Sequence, residues 1–538
     1  SSSPSSPHSF YFTPVTPIEI LKIVQSLKPK TSYGFDEISP KLLKQTVLPI
    51  ADPLCHIMNL SLCTGIVPRK CKIAKVSPFF KSDNPHIFKN YRPISLLPAF
   101  SKILERLVHN RLNKYLKVNK LITPAQYGFQ ENLSTEMAIL ELQDRIANQL
   151  INNKLSLGVF LDLSKAFDTL DHSILLNKLE KLGIRGLPKL WFTNYLTDRQ
   201  QYVQYLEHCS SKLPISCGVP QGSILGPLLF LLYINDIPHP TNCNIILFAD
   251  DTNLIFHNND MLNLINSTNE TLQTISLWFQ KNKLSLNIKK TKYILFHKPR
   301  KKVNDSNIEI KINNVNIEQV KEIKFLGAHI DNTLSWKTHI TKKANQILKV
   351  NAILSRLKNI VPKQTLKTIY SSLIYPHLSY AITSWGNINN REMKRLELLH
   401  KRAIRNISKA KYNSHTNKLY KELDLLKIRD IFYHSCIKFY NKVKTNKTAL
   451  YFQQLLPQNS NLHTHSTRNS HNLHIFNRSS ELKHQLINVK IPICWNELPE
   501  FLKHPTNTRT IDHRIKSFLI SKYSSNCNID NCYVCLNS

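Results

Sequence analysis

Two adjacent carboxylates inside an apolar run constrain this chain more than any other feature. In NIILFADDTNLIF, residues 244–256, Asp250 and Asp251 interrupt sequence that otherwise reads as buried. Burying an unpaired carboxylate costs on the order of several kcal/mol, so a fold that keeps both must supply a compensating charge. The apolar flanks predict two strands joined by a tight turn, with the acids at the turn. Aspartate is common in ordinary turns, which is the plainer reading. Against it, IILFA is as apolar as a core strand, so this turn projects from a core.

A second stretch offers a partner. In LSLGVFLDLSKAF, Leu155, Leu157, Val159 and Leu161 alternate as in a strand, and Asp162 ends it on the opposite face. Three carboxylates on two strand ends suit divalent cations. Mg²⁺ prefers hard oxygen ligands and is held by one or two carboxylates plus substrate phosphates. Two such ions can serve an in-line phosphoryl displacement. Helical segments (HSILLNKLEKLG, LGPLLFLLYINDI) lie between the acidic strands, and a helix (NETLQTISLWFQKNKL) and a strand (KYILFHK) follow. That order predicts an α/β palm-type layer.

Charge narrows the partner. Lys and Arg number 72 against 36 Asp and Glu, a formal +36 over 538 residues with 42% hydrophobic residues. This describes a folded, basic chain of several domains rather than a disordered tail, and its default partner is a polyanion. Nucleic acid comes first and an anionic membrane surface second. The longest apolar stretch, ILGPLLFLLYI (residues 224–234), falls short of the roughly 20 residues that a span needs, so neither a transmembrane helix nor a signal peptide is expected. Eleven mostly scattered cysteines point to a reducing compartment. The Ser/Pro opening, SSSPSSPHS, without an initiator Met, reads as the edge of a longer polypeptide.

Glycine marks a further position. Of only 11 glycines, Gly218, Gly222 and Gly226 fall together in CGVPQGSILGP. The cluster predicts close backbone approach to a ligand or a required positive φ, with a plain loop before a buried helix as the alternative. Gln221 would put an amide at the helix entrance, within reach of a nucleotide or template base.

FADD, preceded by GVPQGSILGPLLFLLYINDI and FLDLSKAFDTLDH and accompanied in order by YRPISLL, LNIKKTK and KFLG, resembles the reverse transcriptases of non-LTR retrotransposons of the jockey and chicken-repeat kind. The likeness runs from about residue 15 to 400. It implies an α+β right-hand polymerase fold: a leader at 1–14, an N-terminal extension and fingers at 15–150, and a palm of antiparallel sheet flanked by helices at 151–330. A helical thumb at 331–450 and a basic, loop-rich C-terminal region at 451–538 complete it. Carried over by position, Asp162, Asp250 and Asp251 become the metal-binding catalytic carboxylates, Asp250 the firmer of the pair, with two Mg²⁺, or Mn²⁺, as cofactors. Leu163, Ser164, Lys165 and Ala166 would run under the incoming triphosphate. Phe167 matches the aromatic gate that excludes a ribose 2′-OH, a core-packing ring being the alternative. Gln221 and Gly222 would line the nucleotide pocket, and Lys81 and Arg92 would neutralise phosphates unless they are merely solvated charges. Lys290 matches the lysine that protonates the leaving pyrophosphate, with Lys289 and Lys292 as competitors. Phe325, Leu326 and Gly327 match the primer grip, where a buried strand end is the alternative.

The implied activity is RNA-directed DNA polymerisation with a template RNA, a DNA primer or nicked target DNA, and dNTPs. The setting is a ribonucleoprotein of cytoplasm and nucleus, not secreted. The competing reading is a domesticated RNA-binding protein that has lost catalysis, and intact acids at 162, 250 and 251 speak against it. A maturase or retron enzyme would share the palm. Beyond it, REMKRLELLHKRAIRNISKAKY (391–412) predicts a basic amphipathic helix suited to a duplex backbone. The basic run from Lys289 to Lys302 is another such strip, or a nuclear-import patch. Cys527, Cys532 and Cys535 read as unpaired terminal cysteines or as part of a zinc site, the latter lacking a fourth ligand unless His513 supplies it. An endonuclease is not found in this sequence, so target-primed copying is implied by the resemblance alone.

Overall fold

Capping residues set where the first helices begin. Thr16 accepts from the Glu19 N–H ahead of Pro17 and starts α1 (Pro17–Ser26). Ser39 and Pro40 do the same for α2 (Pro40–Thr64), which ends at Gly65 in the left-handed region (φ 72°). The computed structural model describes residues 6–81, 84–238, 243–299, 308–462, 472–476, 482–503 and 508–523. Strands β1 (Ile73–Phe80) and β2 (Tyr91–Leu96) precede α3 (Ala99–Val118), α4 (Thr135–Ile151), β3 (Leu155–Leu161), α5 (His172–Lys181) and α6 (Gly186–Leu196). The chain then returns to the first sheet with β4 (Arg199–Tyr205), β5 (His208–Cys209) and β6 (Leu213–Ile215), β4 lying parallel to β1. The fingers sheet, ordered β2-β1-β4-β5 with β6 on β4, is thus assembled from both sides of the palm's first strand.

Helix α7 (Leu225–Ile234) leads to the hairpin β7 (Cys243–Phe248) and β8 (Asp251–Asn258), then α8 (Met261–Lys281) and β9 (Lys292–Phe296). The short pair β10 (Lys311–Ile312) and β11 (Val315–Asn316), strand β12 (Glu318–Gln319) and the hairpin β13 (Glu322–Phe325) and β14 (Ala328–Asp331) follow. The palm sheet runs β12-β9-β3-β8-β7, antiparallel except for β12 on β9. Period-two alternation splits its side chains between two cores. Leu157, Val159, Leu161, Leu247, Leu254 and Phe256 face the fingers-side core with α3, α5, α7 and α8. Phe160, Ile246, Ile255, Ile294 and Phe296 face the thumb-side core with α4.

From Lys337 the chain is helical: α9 (Lys337–Leu357), α10 (Lys363–Leu373), α11 (Tyr375–Ser379), α12 (Ile382–Trp385), α13 (Asn390–Ile407), α14 (Thr416–Leu423), α15 (Ile428–Lys444), α16 (Leu450–Leu455), α17 (Ile487–Asn496), α18 (Glu500–Lys503) and α19 (Thr508–Ser521). As expected, α13 buries Met393, Leu396, Ala403, Ile404 and Ile407 and exposes Arg391, Lys394, Arg395 and Arg402.

Three expectations need correction. Residues 6–14 are not a loose leader: the Ser6 N–H donates to Lys181 O (2.8 Å), the Phe10 N–H donates to Gly183 O (2.9 Å), and Phe10 is buried against Phe12 and Tyr115. Aromatic anchors overrode the Ser/Pro composition. The region after 451 is not loop-rich throughout, because α17 buries Ile487, Val489, Ile491 and Trp495 in the same core as the thumb. Asp144 of α4 ties that region down by accepting from the Ile487 N–H and the Tyr451 hydroxyl, both at 2.7 Å. Helix α2 is, by length and composition, long and apolar enough to cross a membrane. An uninterrupted-run criterion missed it because Lys41, Lys44, Asp52 and His56 are interspersed, and its Leu43, Val47, Met58 and Leu62 pack into the fingers-side core. The three terminal cysteines, and the basic run beyond residue 299, lie outside the described residues, and His513 is exposed on α19.

Candidate active site at the strand ends

Register carries Asp162 to the rim of the palm. Leu161 pairs with Thr252 and Phe248 with Asp251, so Asp162 and Asp251 meet at adjoining strand ends, on the face shared by Phe160 and Ile255. Asp250 sits in the two-residue turn behind Ala249, which is held at φ 54°. A non-glycine residue there costs about 1–2 kcal/mol, so the surrounding structure must impose that turn. The Asp162 end is fixed from the other side. Its N–H donates to Thr291 Oγ1 (3.3 Å) and its carbonyl accepts from the Asn287 N–H (2.8 Å), while the Ser164 N–H donates to Ser285 O (2.9 Å).

The carboxylates repel one another. Burial raises Asp250 above the ordinary carboxylate range and Asp162 adds to that, while Arg92 and Lys81 pull it back. Asp251, exposed as a residue, is pushed up to about 6, first by desolvation of its carboxyl and then by Asp250 and Asp162. Arg92 and Lys81 act on Asp250 from a distance, and among the described residues no ion pair reaches the three acids. Nor do any three acidic, His or Cys side chains among the described residues close into a ready metal site. An uncompensated set of hard oxygens of this kind fits a divalent ion that completes its shell with phosphate and water.

Gly218 and Gly222 take up the positive φ that the glycine cluster predicts, and both are crowded by the chain's own backbone. Gly218 (φ 78°) has Asp168 O 2.6 Å from where a Cβ would sit, and Gly222 (φ 134°) has Ser95 O at 2.4 Å. The loop is locked to the segment after Asp162, with the Val219 N–H on Phe167 O (3.0 Å) and the Gly218 N–H on Leu170 O (2.8 Å). Gln221 faces inward to this framework: its Nε2 donates to Asp168 Oδ1 (2.9 Å) and its carbonyl accepts from the Ser95 N–H (2.8 Å). Gly222 is exposed beside it. Phe167, half-buried, stacks on Phe230 (4.4 Å, 26°), so one ring face is packed as the core alternative supposed. Phe129 stands edge-on to it at 6.3 Å.

Of the remaining predicted residues, Leu163 and Ala166 are buried, Ser164 is half-buried, and Lys165 is exposed at φ 51° in the turn over Asp162. Lys81 and Arg92 are exposed at paired ends of the fingers sheet and act on Asp250. Lys290 is exposed beside Thr291, with its N–H on Asn287 O (3.1 Å). Phe325 packs edge-on to Phe160 (5.8 Å), and Leu326 and Gly327, both with positive φ, form the two-residue turn between β13 and β14. The Tyr380 hydroxyl holds Leu326 O and lies 3.0 Å from Thr135 Oγ1.

Residues that sequence reasoning missed include Glu105, Gln126, Phe129 and Asp168. Glu105 of α3 is fully buried and accepts from the Ile224 (2.5 Å) and Leu225 (3.4 Å) N–H groups at the start of α7 and from the Tyr195 hydroxyl (3.0 Å). Its one available signal was a lone acid on the apolar face of KILERLVHNRL.

Residues 80–330 match the family described as reverse transcriptase (RNA-dependent DNA polymerase). The chain is 27% identical over 462 residues to the "Probable RNA-directed DNA polymerase from transposon BS" of Drosophila melanogaster, covering 82% of this chain and 50% of that protein. It is also 27% identical over 452 residues to the RNA-directed DNA polymerase from mobile element jockey of the same fly, covering 81% and 48%. The chain therefore spans about half the length of the curated relatives it matches. A telomerase structure from Candida albicans aligns loosely, at TM-score 0.35 and 13% identity over 66% of this chain and 63% of that one.

Proposed function

We propose that the chain, whose residues 80–330 match the reverse transcriptase family, is the RNA-directed DNA polymerase portion of a non-LTR element, extending a DNA 3′ end, such as nicked target DNA, along the element's RNA. The observation that carries this reading is the trio Asp162, Asp250 and Asp251. Three acids meet at the ends of β3 and β8, without a cation paired to them among the described residues and with Arg92 and Lys81 acting on Asp250.

Asp162 and the Asp250 and Asp251 turn would hold two divalent cations, Mg²⁺ or Mn²⁺, which when bound supply activation of the primer 3′-OH and charge neutralisation at the phosphates. The side chains do the positioning. Arg92 and Lys81 screen the triphosphate from the fingers side. The turn from Leu163 to Ala166, pinned by Ser285 and Asn287, gives it a fixed floor. Phe167, steadied by Phe230, presents its edge to the sugar and selects deoxyribose. Gln221 and Gly222 shape the pocket through Asp168 and Ser95, Lys290 lies on the loop nearest the Asp162 exit and can deliver a proton to pyrophosphate, and the turn Phe325 to Gly327 seats the primer. The basic face of α13 follows the duplex phosphates.

The test is dNTP incorporation on an oligonucleotide-primed RNA template with Mg²⁺, comparing the natural chain with Asp250→Asn. Incorporation by the natural chain and at least a hundredfold less by the variant is expected. Equal incorporation by the two would remove the reading.

A further inference from the structure

The turn that carries Asp250 and Asp251 is held in its strained form from outside the hairpin. The segment Ala125 to Tyr127 lies parallel to the end of β7: the Leu247 N–H donates to Ala125 O (2.9 Å) and the Tyr127 N–H donates to Leu247 O (2.8 Å). This places the Gln126 side chain, 2% exposed, under the turn. Its Oε1 accepts from the Ala249 N–H (3.0 Å) and from the Gly128 N–H (2.7 Å). Ala249 is the residue at φ 54°, and its N–H, turned away from the β7 and β8 ladder, has Gln126 as its acceptor. Gly128 closes the brace sterically, because a Cβ there would stand 2.3 Å from Ala249 N and 3.0 Å from Phe248 C. The next residue, Phe129, is the exposed ring set edge-on to Phe167.

Building on the proposed polymerase reading, we infer that Gln126, with Gly128, is a positioning residue of the nucleotidyl-transfer site: its carbonyl oxygen fixes the Ala249 backbone and thereby aims both carboxylates of the turn. A buried acceptor shared by two backbone N–H groups is what keeps a non-glycine residue left-handed at this point. The same short loop ties the acids to the edge of the sugar gate, so displacement at one is felt at the other.

The experiment uses the full chain carrying Gln126→Met, which keeps length and removes the acceptor, and Gln126→Glu, which keeps an acceptor oxygen. Three quantities are read: amide exchange across residues 247–251, Mn²⁺ affinity of the free chain by electron paramagnetic resonance, and single-turnover dNTP addition. Gln126→Met should speed exchange at the turn and weaken Mn²⁺ binding by about 10–100-fold, the range seen when a group supporting metal ligands is lost. The addition rate should fall by a similar factor with primer–template affinity unchanged, and Gln126→Glu should restore turn protection. Where Gln126→Met lowers the yield of folded chain, Gln126→Asn, too short to reach both N–H groups, should give the same pattern. Wild-type exchange and Mn²⁺ affinity in the Met and Asn variants would overturn the inference. A natural chain that adds no nucleotide would instead remove the polymerase reading, while the exchange and Mn²⁺ measurements still decide the role of Gln126.

Discussion

Replacing Glu105 by alanine should destabilise the chain by about 3–5 kcal/mol, because it leaves three buried donors without their acceptor, each at a cost of roughly 1–3 kcal/mol. Glu105 lies wholly inside the fingers-side core, where burial pushes its carboxyl up and Arg199 opposes the shift. It accepts two N–H groups at the start of α7 and the Tyr195 hydroxyl, each such bond to a charged acceptor contributing roughly 1.5–3 kcal/mol net. These contributions overlap, so their sum is an upper bound. Arg199 is also fully buried, and its Nε and Nη2 find no hydrogen-bond partner. Removing Glu105 takes away the counter-charge of Arg199 and leaves it the Tyr195 carbonyl, 3.1 Å from Nη1, and the Tyr195 ring at 4.8 Å. Glu105→Gln keeps one acceptor oxygen for α7 and should cost less, about 1–2 kcal/mol. The double variant Glu105→Gln with Arg199→Met should lie closer to wild type than Glu105→Ala does, because removing both charges removes the desolvation penalty of each. Urea unfolding, read as the midpoint at unchanged slope, measures all three. A Glu105→Ala cost below about 1 kcal/mol would refute the idea that this acid holds the start of α7. The same variant should impair nucleotide addition, because Gln221 and Gly222 directly precede that helix.

Other consequences follow from the same geometry. Asp251, with a folded value near 6 against 3.8 unfolded, makes the metal-free fold lose stability as pH rises from about 4 to about 6. Asp251→Asn should abolish that loss in thermal melts across this window, and added Mn²⁺ should oppose it in the natural chain. Phe167→Val should weaken rejection of ribonucleotides by about 10–100-fold in single-nucleotide addition, and unchanged sugar discrimination would remove the gate assignment. Asp331 accepts from the Thr333, Ser335 and Trp336 N–H groups at 2.8–3.1 Å and so joins β14 to the start of α9. Asp331→Ala should cost about 2–3 kcal/mol in urea and shorten products more than it slows the first addition. Asp144→Ala should cost about 3 kcal/mol and raise proteolysis between residues 450 and 500, since it frees the Ile487 N–H and the Tyr451 hydroxyl.

What could be read without coordinates was whatever depends on neighbours in the chain. Alternation along residues 155–161 and the apolar flanks within 244–256 placed the three acids at strand ends, and the structure has those strands with those ends. The 3.6-residue spacing of α13 and the unbroken apolar run of α7 were equally legible, since each face reports its own burial. Composition was a poorer guide. Phe10 and Phe12 anchor a Ser/Pro-rich opening, and α17 sits within a polar region, because a few large apolar side chains outweigh the average of their surroundings.

The sequence alone determined that three carboxylates would stand at strand ends and that a basic helical region would follow, because local periodicity and charge are properties of short segments. Only the tertiary structure decided that Arg199–Ile215 would complete a sheet begun at Ile73, that Glu105 would hold the start of α7, and that Gln126 would brace the turn before Asp250. Those are contacts between segments up to 127 residues apart in sequence, from Ile73 to Gln200. They depend on strand register and on which buried N–H lacks an acceptor, and neither is set until the sheets have formed.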